Sequence, residues 1–288
     1  MSPKLTELQK LYRRYVIYAT IMLAFLVAAL ICVFVNRYLV FILLALAVVF
    51  HLALLRPLQK NYTRKVCEAN LEQTLCRLLG ADSVSEEAPG AITAETVTAS
   101  KLMPMVPYKN SPLLRWQISG ERKGIRVSLC DATIAQEFRL KTKGKRRMHF
   151  NAGVWVHIAL PKKTDKRFFL LDETSVPTPI RLDHFKSLPS FESVILSDKE
   201  LADHVALYRT IHVPSHEPSD AFMNEFRRLV HYTPGYVAVS VDEDHMDLFI
   251  RGRFLTRPVS ISKKPEQSLI SFDPFPELSY IVSLASSL

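Results

Sequence analysis

Glycine is scarce, 8 in 288 residues, and no G-x-S-x-G, G-x-G-x-x-G or P-loop pattern occurs. Loops that cradle phosphates, or that lift a nucleophilic serine at a strand-to-helix turn, are therefore not indicated. Cysteine is scarce too. Of the four, Cys32 falls in an apolar run, and Cys67, Cys76 and Cys130 lack C-x-x-C spacing. A disulfide framework and a cysteine-based zinc or redox site are both excluded. Reduced thiols suit a cytoplasmic setting. Charge is missing where it matters most. Tyr15 to Val35 holds 21 residues without a charge, Asn, Gln or Pro. Leu39 to Leu55 adds 17 more, with His51 as its only strongly polar member.

At helical rise these runs measure about 31 Å and about 26 Å, each near one hydrocarbon core. Only Asn36, Arg37 and Tyr38 separate them. One continuous helix would bury Arg37 midway in the bilayer, which a tight helical hairpin avoids. A cleaved leader would be shorter and followed by small residues at a cleavage point. A re-entrant or interfacial element is the other alternative. Lys4, Lys10, Arg13 and Arg14 precede the first run, and Arg56, Lys60, Arg64 and Lys65 follow the second. The positive-inside bias then predicts a two-span protein of a bacterial inner membrane with both termini in the cytoplasm.

The formal net charge is +9, and it is unevenly spread. Residues 1–80 carry ten basic and three acidic groups, and residues 113–160 carry ten and three. Residues 161–288 carry fifteen and eighteen. The excess lies at the membrane flanks and in the early soluble chain.

Periodicity divides the rest. Cys67, Leu71, Leu75 and Leu78 recur at helical steps before Gly80, which predicts a membrane-proximal helix over 57–80. This stripe suits packing on the protein's own domain or a short self-association. Residues 81–112, rich in Ser, Thr, Ala and Pro, read as a linker with one short helix near Ala94 to Leu102. A domain over 113–262 follows. Trp116, Ile118, Ile125, Val127 and Leu129 read as strands around a turn at Gly120–Gly124, and Val154 to Leu160 and Phe168 to Leu171 as further antiparallel strands. Residues 173–192 read as irregular. Ser197-Asp198-Lys199-Glu200 has capping-box form, and Leu201, Val205 and Tyr208 then share a helical face. A second helix starts near Ser219 and stops at Pro234-Gly235. Val237 to Ile250 forms a closing hairpin turning at Asp242-Glu243-Asp244. Residues 263–288, with Pro274 and Pro276, read as a carboxyl-terminal tail or docking segment. The fold class is α+β: an amino-terminal transmembrane hairpin over 1–56, then a cytoplasmic domain of antiparallel strands with two or more helices.

Several segments together resemble the bacterial membrane-anchored family catalogued only as domain of unknown function 3137. Ser197-Asp198 with Ala202 and Leu207 is similar to its strand-end, Ser-Asp, helix and Leu motif. Phe150 to Val156 is similar to its aromatic-Gly-apolar strand, with Phe150 and Gly153 one residue further apart. Val237 to Ile250 is similar to its closing hairpin. The resemblance implies a membrane hairpin coupled to a cytoplasmic α+β domain, and no catalytic residues.

The basic run Lys141, Lys143, Lys145, Arg146 and Arg147 is the leading candidate for function. Near a bilayer each such residue gains on the order of 1 kcal/mol from anionic lipid. No aromatic motif of RNA-binding type accompanies it, so nucleic acid is not the favoured partner. His212, His216 and Glu217 offer zinc-type donors, but Pro214 breaks the helical spacing of an H-E-x-x-H site and no third ligand is evident. Asp183-His184, Asp203-His204 and Asp244-His245 are neighbours in sequence, which is not how an Asp orients a catalytic His. The sequence favours a non-enzymatic anchor or scaffold, with no cofactor, catalytic residue or metal assigned. Its soluble domain would bind a protein partner, a second copy or the anionic membrane surface. The alternative is a membrane-tethered metal-dependent hydrolase using His212, His216 and Glu217.

Overall fold

A computed structural model of the chain describes residues 3–34, 36–81, 84, 91–102, 111–139, 146–172, 190–196, 199–203, 205–211, 217–233, 236–256, 259–261 and 264–288. The protein is α+β: long apolar helices come first, then an antiparallel sheet of eight strands with further helices. It divides into two compact units, Met1–Thr74 with Arg257–Phe272, and Leu75–Thr256 with Asp273–Leu288.

In the first unit, α1 (Pro3–Cys32) and α2 (Arg37–Phe50) form the hairpin. Asn36 caps α2 by accepting from the Tyr38 N–H at 2.9 Å. Phe50 lies edge-on to Tyr18 and Phe25, with centroids 5.8 and 6.0 Å apart. After Phe50 the helix widens into a π turn over His51–Leu55 and continues as α3 (Arg56–Leu71). Pro57 explains the widening, because it has no N–H to donate and its ring would meet the carbonyl four residues back. A second π turn, Glu72–Cys76, leads to α4 (Arg77–Leu79), which ends at Gly80 in the left-handed conformation, φ 61°. The predicted helix over 57–80 is therefore present, interrupted by that π turn.

The ends of α1 and α3 remote from the hairpin loop carry a different pattern. Leu5, Leu8 and Leu11 of α1 and Tyr62, Val66 and Ala69 of α3 are buried together. The late segment closes this cluster with Ile261 and with Ile270 of α8 (Ser268–Ser271). Thr63 Oγ1 donates to the Val259 carbonyl at 3.2 Å, and Asn70 Nδ2 to the Phe272 carbonyl at 2.8 Å.

The second unit is built on β1 (Leu113–Arg122), β2 (Ile125–Arg139), β3 (Arg146–Ala159), β4 (Phe168–Asp172), β5 (Phe191–Val194), β6 (Val205–Thr210), β7 (Val237–Val241) and β8 (His245–Arg251). They lie in the order β1-β2-β3-β8-β7-β4-β6-β5, with every pairing antiparallel. Strand alternation sends side chains to two faces. Cys130, Trp155, Phe169, Leu171, Ala238 and Phe249 occupy one, covered by Ile92, Leu102 and Val97 of α5 (Ala94–Ala99). The other face meets α7 (Asp220–Tyr232), where Phe168 and Phe222 pack edge-on at 5.3 Å. Tyr232 of α7 packs against Tyr280 of α9 (Leu278–Ser286), ring centroids 4.7 Å apart and tilted by 37°. Both faces are buried along β7 and over Met246–Ile250 of β8, Ser240 and Asp247 included.

Three expectations change. Gly120 lies inside β1, and the turn is the two residues Lys123-Gly124, with φ 53° and 76°. This is the doubly left-handed turn that suits the twist of a hairpin. The helix expected through Leu201, Val205 and Tyr208 ends early: α6 (Lys199–Ala202) is one turn, and Val205–Thr210 is strand β6. Val205 and Leu207 are buried by alternation, and a β-branched, aromatic-bearing stretch fits a pleated surface better than a helix. Phe191–Val194, whose first two residues fall in the stretch expected to be irregular, forms the edge strand β5 on β6. The Ser197-Asp198 cap and the Pro234-Gly235 stop lie outside the described residues.

Candidate functional site

Lys141, Lys143 and Lys145 lie outside the described residues. Their neighbours fix what they join. The β2–β3 register runs to Phe138↔Arg147 and Arg139↔Arg146. β1 leaves β2 at Thr133, and β8 leaves β3 at Gly153. Beyond those points, among the described residues, the strand register continues between β2 and β3 alone, as a ribbon over about 20 Å. The basic run connects its ends, and Phe150 on β3 is 60% exposed.

His212 and His216 also lie outside the described residues. Glu217 is described and is engaged by Arg209, which also donates from Nε to Glu192 at 2.9 Å. Among the described residues no group of three His, Cys, Asp or Glu side chains could hold a metal ion. Cys67, Cys76 and Cys130 are buried thiols outside any disulfide. Burial, with the neighbouring Asp131 charge, pushes the Cys130 thiol far up, so it is not a ready nucleophile.

The most developed polar cluster lies where sequence reading did not place one. His157 on β3 stands directly opposite Asp247 on β8. Asp247 is fully buried. Its Oδ1 accepts from Trp155 Nε1 at 3.2 Å and lies 2.9 Å from His157 Nδ1. Burial disfavours the charged imidazole, but the Asp247 hydrogen bond and the charges of Asp247 and Asp244 outweigh it and raise His157 above its ordinary value. His245 contacts both carboxylates: Nδ1 lies 2.6 Å from Asp244 and Nε2 lies 3.6 Å from Asp247 Oδ2. The adjacent Asp244-His245 pair is thus hydrogen-bonded, which lowers the Asp244 carboxyl. Ser128 stands opposite His157 on β2, and its hydroxyl is engaged with Ser119 at 2.8 Å. His157 has its Nδ1 held by the Asp247 carboxylate, as in a catalytic dyad. The signals in the sequence were the period-two pattern of β3, which puts Trp155, His157 and Ala159 on one face, and the adjacent Asp244-His245 pair; which strand faces β3 could not be read.

A second carboxylate, part-buried, works structurally. Asp131 accepts from the Leu255 N–H and the Thr256 hydroxyl, both at 2.7 Å. Burial pushes its carboxyl up to about 6, against those hydrogen bonds. Arg253 pairs with the fully buried Glu277. These contacts fix the chain where it leaves the sheet unit after Thr256 and re-enters at Asp273.

The apolar helices are the other distinctive surface. Lys4–Cys32 and Arg37–Leu79 are both long and apolar enough to cross a membrane, and only 6% and 11% of their most apolar stretches are buried. Leu23, Leu30 and Phe41 are 59%, 67% and 70% exposed.

No family model matches the chain, and no curated protein matches it. Among solved structures, the crystal structure of the mycobacterial trehalose monomycolate transport factor A, TtfA, is similar. The match covers 78% of this chain and 95% of that one, at 9% identity and a TM-score of 0.37. At that score the likeness carries no argument.

Proposed function

We propose that the chain is an integral membrane anchor whose sheet domain is a non-enzymatic binding module. The observation that carries this reading is the bare apolar surface of α1 and α2. Soluble proteins rarely expose contiguous apolar patches beyond a few hundred Å², and helices satisfy their own backbone groups in lipid. Below the hairpin the same helices turn amphipathic and bury Leu5, Leu8, Tyr62 and Val66, as expected where lipid gives way to water. The basic flanks support an orientation with both ends in the cytoplasm of a bacterial inner membrane. The run Lys141, Lys143, Lys145, Arg146 and Arg147 at the ribbon end supports an anionic bilayer surface as one partner of the domain, and a protein as the other.

Cysteine labelling tests the anchor in a Cys32→Ser background. Asn36→Cys should react with an impermeant maleimide in intact cells, and Ser279→Cys only after lysis. The reverse pattern overturns the orientation, and release of the chain by alkaline carbonate overturns the anchor. For the lipid arm, an environment-sensitive dye at Lys143→Cys should shift in nanodiscs of anionic but not zwitterionic lipid. An unchanged dye leaves the protein partner as the binding reading.

A further inference from the structure

β3 and β8 form the seam of the sheet. Seven residue pairs, Gly153↔Arg251 to Ala159↔His245, join β1-β2-β3 to the other five strands. The titratable cluster sits at one end of this seam and draws on both strands. Asp247 is 1% exposed at its side chain, and His157 and His245 are 23% and 28% exposed. The two imidazoles lie 5.5 Å apart at 38°. Asp247 Oδ2 has no hydrogen-bond partner among the described residues.

The surroundings decide what a proton does here. From β2, His157 faces Ser128, and Arg126 stands opposite Ala159 one step along that face. From β8 it faces Asp247 and His245, and at the turn Asp244, on which Lys163 also acts. Asp247 and Asp244 are the charges that act on His157. With both imidazoles neutral, the cluster holds two carboxylates, one of them out of water, where an uncompensated charge is costly. If neutral His245 donates from Nδ1 to Asp244, its Nε2 lone pair faces the unpartnered Asp247 Oδ2, so two acceptors oppose each other. A proton on His245 turns that contact attractive. A proton on His157 adds the attraction of opposite charges to its hydrogen bond with the Asp247 carboxylate.

We propose that Asp244, His245, Asp247 and His157 form a proton-operated clasp, in which proton uptake tightens the β3–β8 seam and proton release loosens it. The raised value of His157 agrees. A group raised in the folded state adds stability that is complete below its ordinary value and is lost as pH rises through the raised one. Loosening at this seam changes the local opening of the sheet, the quantity that amide exchange reads. The clasp is independent of the anchor and of the lipid contact.

Hydrogen exchange on the full chain in nanodiscs tests it, between about pH 5.5 and about pH 8.5, where histidine titrates, with intrinsic rates divided out. Protection of Val154–Ile158 and Met246–Ile250 should fall roughly three- to tenfold as pH rises, and Phe168–Leu171 should stay flat. His157→Gln with His245→Gln, which keep amide hydrogen-bonding groups, should remove the slope. Seam protection independent of pH in the natural chain, or the same slope in Phe168–Leu171, overturns the proposal, and neither result needs a folded variant. A slope that survives in a folded double variant overturns it as well.

Discussion

Asp131 shows how a single part-buried carboxylate can tie loop to sheet at a pH-dependent cost. Its two acceptors are filled by the Leu255 N–H and the Thr256 hydroxyl, yet burial raises it to about 6. A carboxyl raised in the folded state favours folding fully below its ordinary value near 4, and that contribution is lost as pH rises through about 6. A rise of this size corresponds to on the order of 2–3 kcal/mol between its protonation states. Asp131→Asn should therefore flatten the decline in stability between about pH 4 and about pH 6.5. Asparagine can still accept from the Leu255 N–H and donate to the Thr256 hydroxyl, so the fold should survive. Denaturant midpoints across that range decide it; an unchanged slope in Asp131→Asn would sink the assignment. Neither this pairing nor His157–Asp247 was legible in the sequence. Period-two patterning places His157 on a strand face, but the partner lies 90 residues on, and only the register of β3 against β8 brings them together.

At the scale of elements, what was legible was local. Val237 to Ile250 reads as a hairpin because both strands alternate across a short acidic turn, and β7 and β8 form it, Val237↔Ile250 to Val241↔Met246. The start of α7 at Ser219 was readable from its cap, whose side chain accepts from the Phe222 N–H. Val205–Thr210 misled because Leu201, Val205 and Tyr208 satisfy a helical spacing while Val205 and Leu207 satisfy a strand spacing. Burial against β4 and β5 decides for the strand. Gly120 misled in another way: it reads as a turn residue, but a Cβ there would lie 2.3 Å from the Leu79 carbonyl oxygen. The glycine serves the close approach of α4 to β1 within the sheet unit. Gly120→Ala should cost about 1–3 kcal/mol, typical of overpacking. Gly124, whose added Cβ meets nothing within 4 Å but which has φ 76°, is the comparison: alanine there strains the backbone without a clash. Thermal unfolding that shows Gly120→Ala to be neutral would refute the close-approach account.

At the scale of the molecule, the chain crosses between its units more than once. The sheet unit holds the chain to Thr256 and takes it back from Asp273, while Arg257–Phe272 belongs with the helices. A composition-based reading sees Pro, Ser and charge after Lys263 and suggests a tail, because nothing local reveals that Ile261 and Ile270 complete a cluster begun at Leu5. The consequence is specific. Ile270 is fully buried, and truncation of such a residue to alanine typically costs about 2–5 kcal/mol. Ile270→Ala should therefore loosen the helical unit first. In nanodiscs, amide exchange should quicken at the amino-terminal turns of α1, along Tyr62–Asn70 of α3 and at Leu269–Ser271, where the contacts of Ile270 and the Asn70–Phe272 hydrogen bond lie. β3, β7 and β8 should keep their protection, because their core of Trp155, Ala238 and Phe249 contains no residue from this segment. Acceleration of equal size in both sets of peptides would mean that the two units open as one, and the assignment of the late segment to the helical unit alone would fail.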